Sequence, residues 1–212
     1  MAAKDKLTYF PVYARAESIR MLYSIAGVPF EDVRVQFDDW PAVKAMQPLG
    51  QLPVLECEEG NLVMSNSIAR YVAKKLGLFG GNAWEEALND MVMETCLECT
   101  NDLAKSVYFW LLFKRTPEPE NSDKILETFK EKLLKAMNYV QSVAEKRGKT
   151  FILGDQISLA DVWVFNTLQF SSKACSSALE LTPWVKQFTE SFQNDPKVKS
   201  YLETRPASFS GL

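Results

Sequence analysis

The residues with the clearest chemical potential form the run Gln51-Leu52-Pro53-Val54-Leu55, followed ten residues later by Ser65-Asn66-Ser67-Ile68-Ala69-Arg70-Tyr71. Proline has no N–H for a sheet ladder, so Pro53 belongs at the first residue or edge of a strand. A cis Leu52-Pro53 bond would turn the chain sharply and present the N–H and C=O of Leu52. Such an edge grips an extended peptide through its main chain. A helix opening at Ser65 presents unpaired amides and a dipole that favour a carboxylate. Together these features predict a small domain that holds a short anionic peptide.

Other chemistries are poorly supplied. The chain has no histidine, which removes the commonest general base, the commonest transition-metal ligand and the usual Ser/His and Cys/His pairs. Cys96 and Cys99 form a C-x-x-C, but with no second pair a zinc site lacks ligands, and structural thiols are expected. Ser158-Leu159-Ala160-Asp161 reads as a capping box flanked by a staple of Ile157 and Val162, a folding signal rather than a reactive one.

The elements that must position these residues divide the chain in two. Leu7-Thr8-Tyr9-Phe10 is a short β-rich run. Ile19, Leu22, Ile25 and Ala26 then recur at helical spacing before Gly27. Residues 33–37 alternate as a strand, and Trp40-Pro41 opens a short helix or loop ending near Gly50. Residues 52–57 and 62–64 read as a hairpin about a turn at 58–61, and residues 65–76 as a helix stopped by Gly77. The order is βαβ, then ββα. After Gly77 no strand pattern remains. Residues 79–83 are a linker; helices are expected over 85–115, 122–147, 159–171, 183–194 and 196–204. The expected fold is therefore α/β plus all-α, with one domain over residues 1–78 and an all-helical domain over 84–212.

With 212 residues, 47% hydrophobic and 24% charged, and a net charge of −3, the composition is that of a globular protein with no bulk attraction for nucleic acid or an anionic membrane. The N-terminal stretch has no long apolar run, no segment is apolar enough to span a bilayer, and four unpaired-looking cysteines suit a reducing compartment, so a cytoplasmic protein is expected.

The set of motifs resembles one family. Tyr9-Phe10, Arg15-Ala16-Glu17, Asp39-Trp40-Pro41, residues 51–56, Ser65, residues 68–71 and the capping box sit at spacings similar to those of sigma-class cytosolic glutathione transferases. That class includes the glutathione-dependent prostaglandin D synthases and the S-crystallins of eye lenses. The resemblance implies a thioredoxin-like N-terminal domain (βαβ–ββα), glutathione as co-substrate, no metal, a hydrophobic electrophile as second substrate and a homodimer.

It also implies roles for individual residues. Tyr9 would donate its hydroxyl to the glutathione sulfur. A phenol titrates near ~10 and a thiol near ~8.5, so the tyrosine keeps its proton and its hydrogen bond favours the thiolate, the nucleophilic form. A shift of two pKa units requires about 2.7 kcal/mol. Arg15 would add fixed positive charge beside it. Phe10, Trp40, Lys44, Gln51, Leu52, Pro53, Met64 and Ser65 match peptide-binding positions: Trp40 and Lys44 at the glycine-end carboxylate, Leu52 pairing its backbone with the cysteinyl part, and Ser65 holding the γ-glutamyl carboxylate. Glu98 falls where the partner subunit usually offers an aspartate to the γ-glutamyl ammonium. Tyr108 or Trp110 would wall the electrophile pocket. Two departures stand out: Met64 replaces a polar glutamine or glutamate and Glu98 stands where aspartate is favoured, together weakening glutathione binding by about 1 kcal/mol. Ala14 also replaces a common glycine. The narrower reading is prostaglandin H2 to D2 isomerisation; the alternative is an S-crystallin or a hydrophobic-ligand carrier with little activity.

Overall fold

The computed structural model describes residues 4–107 and 116–208, with side chains outside 101–107. The chain separates into two compact units, one of residues up to Leu78 together with those from Pro196 onward, the other spanning Phe79–Asp195.

The first unit is built on β1 (Lys6–Tyr9), α1 (Glu17–Ala26), β2 (Glu31–Arg34), a short α2 (Trp40–Val43), β3 (Val54–Cys57), β4 (Gly60–Val63) and α3 (Ser65–Lys75). The strands order β2-β1-β3-β4. β1 and β2 run parallel, as the α1 crossover requires, and β3 is antiparallel to both β1 and β4. This is the thioredoxin-like arrangement. Leu7, Leu55, Ile19, Leu22, Ile68 and Val72 fill the core between sheet and helices. Both α1 and α3 end in six-residue C-terminal motifs in which a glycine takes positive φ: Val28 N–H returns to Tyr23 and Leu78 N–H to Ala73, with Gly27 at φ 67° and Gly77 at φ 71°. A side chain there would be strained.

β2 lies earlier than the alternation at 33–37 suggests. Glu31 and Asp32 are poor strand formers, yet both are strand residues, paired with Lys6 and Leu7. Arg20 explains Asp32: its Nε donates to Asp32 Oδ1 at 3.0 Å. The hairpin turn is also tighter than expected, since Cys57 pairs with Gly60 and leaves only Glu58 and Glu59 in the loop.

The second unit is helical: α4 (Ala83–Val107), α5 (Ser122–Arg147), α6 (Leu159–Ala174) and α7 (Pro183–Asn194). α8 (Pro196–Thr204) packs instead on α1 in the first unit. Ser158 and Asp161 form a complete capping box at the start of α6, and Ile157 and Val162 beside it are buried. No described helix is long and apolar enough to cross a membrane.

Candidate functional site

Strand register brings the singled-out residues to one end of the sheet. Thr8 pairs with Val54, and Val54 pairs with Val63. The next residues in each chain direction, Tyr9 at the end of β1, Pro53 just before β3 and Met64 just after β4, therefore lie at this same end of the sheet. Leu52 precedes Pro53 and Ser65 follows Met64. The Leu52–Pro53 peptide is cis, and the β3 ladder starts only at Val54, so the N–H and C=O of Leu52 stay outside the sheet's bonds.

Tyr9 closes β1 and is only 6% exposed. Burial pushes its phenol up from the ordinary value; the Arg15 N–H bonding to its oxygen and the charges of Arg15 and Arg20 pull the other way. A phenol held above its usual value keeps its proton throughout the neutral range and acts as a donor. Among the described residues its hydroxyl proton has no acceptor. Arg15 lies exposed in the one-turn 3₁₀ helix Ala14–Ala16 and forms no ion pair among the described residues. Ala14 beside it sits at φ 31°, a left-handed conformation disfavoured for an L-residue.

Phe10 stacks on Phe37 at 4.9 Å between centroids and meets Trp40 edge-on at 5.3 Å, so it fixes the indole through a three-ring cluster. Lys44 is exposed, and its side chain runs over Gly50, whose added Cβ would meet Lys44 Cε at 3.6 Å. Gln51 is exposed and Leu52 half-buried.

Met64, at φ 70°, is 57% exposed and occupies the N-cap position of α3. Its carbonyl accepts the first helical bond, from Ile68 N–H at 3.0 Å. Ser65 is thus the first helical residue rather than the cap, and its hydroxyl donates to Asn66 Oδ1 at 3.3 Å. Among the described residues no side chain caps the helix, and the amides of Ser65, Asn66 and Ser67 have no intrahelical partner. Strained backbone beside unpaired donors is the pattern of a ligand-binding edge.

Glu98 is an exposed residue of α4 in the second unit. Tyr108 and Trp110 lie outside the described residues. Cys96 and Cys99 are buried in α4, Cys99 Sγ donating to the Cys96 carbonyl at 3.1 Å. Burial pushes both thiols up, Cys99 to about 12, which leaves them unreactive.

Sequence reasoning passed over Arg20. It is 1% exposed and donates to the carbonyls of Val12 at 2.7 Å and Phe10 at 3.3 Å, and its guanidinium stands 5.8 Å from the Tyr9 ring centre. It thereby pins the chain leaving Tyr9. The available signal was an arginine three residues after Glu17, within a helix whose every other turn is apolar.

Comparison with known proteins is consistent across the chain. Residues 5–74 match the family model described as glutathione S-transferase, N-terminal domain, and residues 101–205 the model for glutathione S-transferase, C-terminal domain. A glutathione S-transferase of Dirofilaria immitis is 33% identical over 203 residues, covering 96% of this chain and 94% of that protein. Among solved structures, a Nu-class GST of Haemonchus contortus aligns with a TM-score of 0.82 at 34% identity, covering 97% of this chain and 98% of that one. Prostaglandin synthase D of Nilaparvata lugens aligns with a TM-score of 0.77 at 31% identity, covering 96% and 99%.

Proposed function

The chain belongs to the glutathione S-transferase family, and from that premise we propose that it activates glutathione as a thiolate, in the manner of sigma-class enzymes, for attack on hydrophobic electrophiles. The peptide lies along the sheet end. Leu52 pairs its exposed N–H and C=O with the cysteinyl part. The unpaired amides of α3 and the Ser65 hydroxyl hold the γ-glutamyl carboxylate. Trp40 and Lys44 take the glycine-end carboxylate, with Phe10, Gln51 and Pro53 shaping the wall. Tyr9 donates its proton to the sulfur in a hydrogen bond, and Arg15 supplies positive charge. The thiol proton leaves to solvent. The sulfur lone pair then forms a C–S bond, and from an aryl halide the halide departs with the bonding pair. Catalysis rests on proximity and on stabilised thiolate, with no metal and no covalent bond to the protein.

The rest follows the same reading. The protein acts as a cytoplasmic homodimer, the partner subunit's acidic residue at position 98 facing the ammonium, and Tyr108 or Trp110 walling the electrophile pocket in the helical unit. Prostaglandin H2 to D2 isomerisation is a narrower use of this site, favoured by the likeness to prostaglandin synthase D of Nilaparvata lugens. An S-crystallin or carrier role is not preferred, because relatives 31% and 33% identical to the chain carry transferase names.

The observation that carries the reading is Tyr9: buried, kept protonated, near the charges of two arginines and one residue past the Thr8–Val54 pair. The test is titration of the bound glutathione thiol in the parent and in Tyr9→Phe. The parent should titrate about two units below the free thiol. The variant should return towards ~8.5, with conjugation of an aryl halide near neutral pH falling about twentyfold. Identical titrations would reduce Tyr9 to scaffold.

A further inference from the structure

The turn between β1 and α1 is gripped from the far end of the chain. Arg205, just after α8, lies with its guanidinium 4.0 Å over the centre of the Tyr13 ring, and its Nη1 donates to Glu17 Oε1 at 2.6 Å. The Tyr201 hydroxyl donates to the same Glu17 oxygen at 2.9 Å. The Tyr13 N–H donates to Ser208 Oγ at 3.3 Å. Arg15 sits midway, two residues from each gripped position. Between the grips Ala14 stands at φ 31°, a conformation that a released L-residue abandons. The charges facing this turn are Glu17 with Arg20 3.8 Å from its second oxygen, Arg205 on the α8 side, and Asp32 and Arg34 beyond Arg20.

We propose that Arg205 is a positioning residue for thiol activation: by tying Tyr13 and Glu17 to the α8 segment, it holds Arg15 against the Tyr9 phenol. The proposal rests on the reading of Tyr9 as the thiol's donor. Loss of the tie lets the strained turn relax and carries the Arg15 amide and guanidinium away, while the peptide-holding edge stays in place. The signature is a selective one. Thiolate formation falls, and affinity for glutathione is largely kept.

The experiment uses the full chain loaded with glutathione, comparing the parent with Arg205→Ala, Tyr13→Leu and Tyr9→Phe by titration of the bound thiol and by KM and kcat for conjugation. Arg205→Ala should leave about tenfold less thiolate at a given pH below the thiol's midpoint, with the glutathione KM changed less than about threefold. Tyr13→Leu removes only the stacked ring and should shift the titration the same way by about threefold. It also decides the matter alone if Arg205→Ala does not fold, since that substitution strips a donor from a buried carboxylate. A shift in Tyr9→Phe with parent-like titration in both turn variants overturns the role of Arg205, whatever their thermal stability. No shift in Tyr9→Phe overturns the underlying reading of the site instead.

Discussion

The N-termini of α3 and α6 meet the same demand, a first turn of amides with no intrahelical partner, and answer it in opposite ways. At α6 everything is closed. Asp161, fully buried, accepts from Ser158 N–H at 2.9 Å, Ser158 Oγ at 2.8 Å and Ile152 N–H at 2.8 Å, and Asn89 Oδ1 takes the Ala160 N–H at 2.9 Å. At α3 no side chain among the described residues caps the helix. Met64 holds a strained φ of 70° in the open, and Ser65 bonds sideways to Asn66 rather than to an amide. The contrast teaches where stability and function separate. A satisfied helix start contributes folding energy and has nothing left to offer a ligand; an unsatisfied one keeps its donors and dipole for an anion.

The sharpest way to break the comparison is at α6. Asp161→Ala strands two buried N–H groups and a hydroxyl, each at about 1–3 kcal/mol and not additively, so a loss of about 3 kcal/mol in unfolding free energy is expected, with no change in the titration of bound glutathione. A change in that titration would mean that the two helix starts are coupled. The pH dependence adds a second reading. Burial pushes the Asp161 carboxyl up to about 6, against about 3.9 in an unfolded chain. The native state then binds the proton more tightly, so its contribution is fully present below about pH 4 and declines as pH rises to about 6. Asp161→Ala should flatten that slope in denaturant melts.

At α3 the expectation reverses. Ser65→Ala should leave the unfolding free energy within about 0.5 kcal/mol, because Ser65 does not cap. It should weaken glutathione about tenfold in equilibrium binding, the scale of a hydrogen bond to a charged group. Lost stability with unchanged affinity would make this helix start structural after all.

Much of this asymmetry was legible in the residues. The Ser-x-x-Asp spacing with Ile157 and Val162 announced the closed start, and Pro53 at the head of an apolar run announced the strand that begins at Val54. The glycines at 27, 77 and 148 each marked the end of a helix. What sequence could not show was the consequence of long-range pairing. β2 begins at Glu31 because β1 and Arg20 recruit residues with little strand propensity of their own. Tyr13 and Glu17 are tied to Arg205, 188 residues beyond Glu17 in the chain, and no local periodicity encodes such a contact. Backbone strain is equally invisible: Met64 and Ala14 carry no sign in their side chains that the ladder and the turn force positive φ on them.

Met64 offers the finest test of the comparison, because there the open start departs from the polar residue that the resemblance leads one to expect. Its thioether lies exposed at the same end of the sheet as Tyr9 and Pro53, where the γ-glutamyl ammonium would sit beside it. A thioether is a weak acceptor and gives an ammonium little. Met64→Gln keeps the side chain unbranched and of similar length and leaves the backbone conformation as strained as before, so stability should move by no more than about 0.5 kcal/mol. The added carbonyl supplies one net hydrogen bond, about 1 kcal/mol, and glutathione should bind about fivefold tighter. Because the ammonium is remote from the sulfur, the thiol's titration should not move. An unchanged affinity would place the γ-glutamyl end away from Met64 and shift the anion site to the amides of α3 alone.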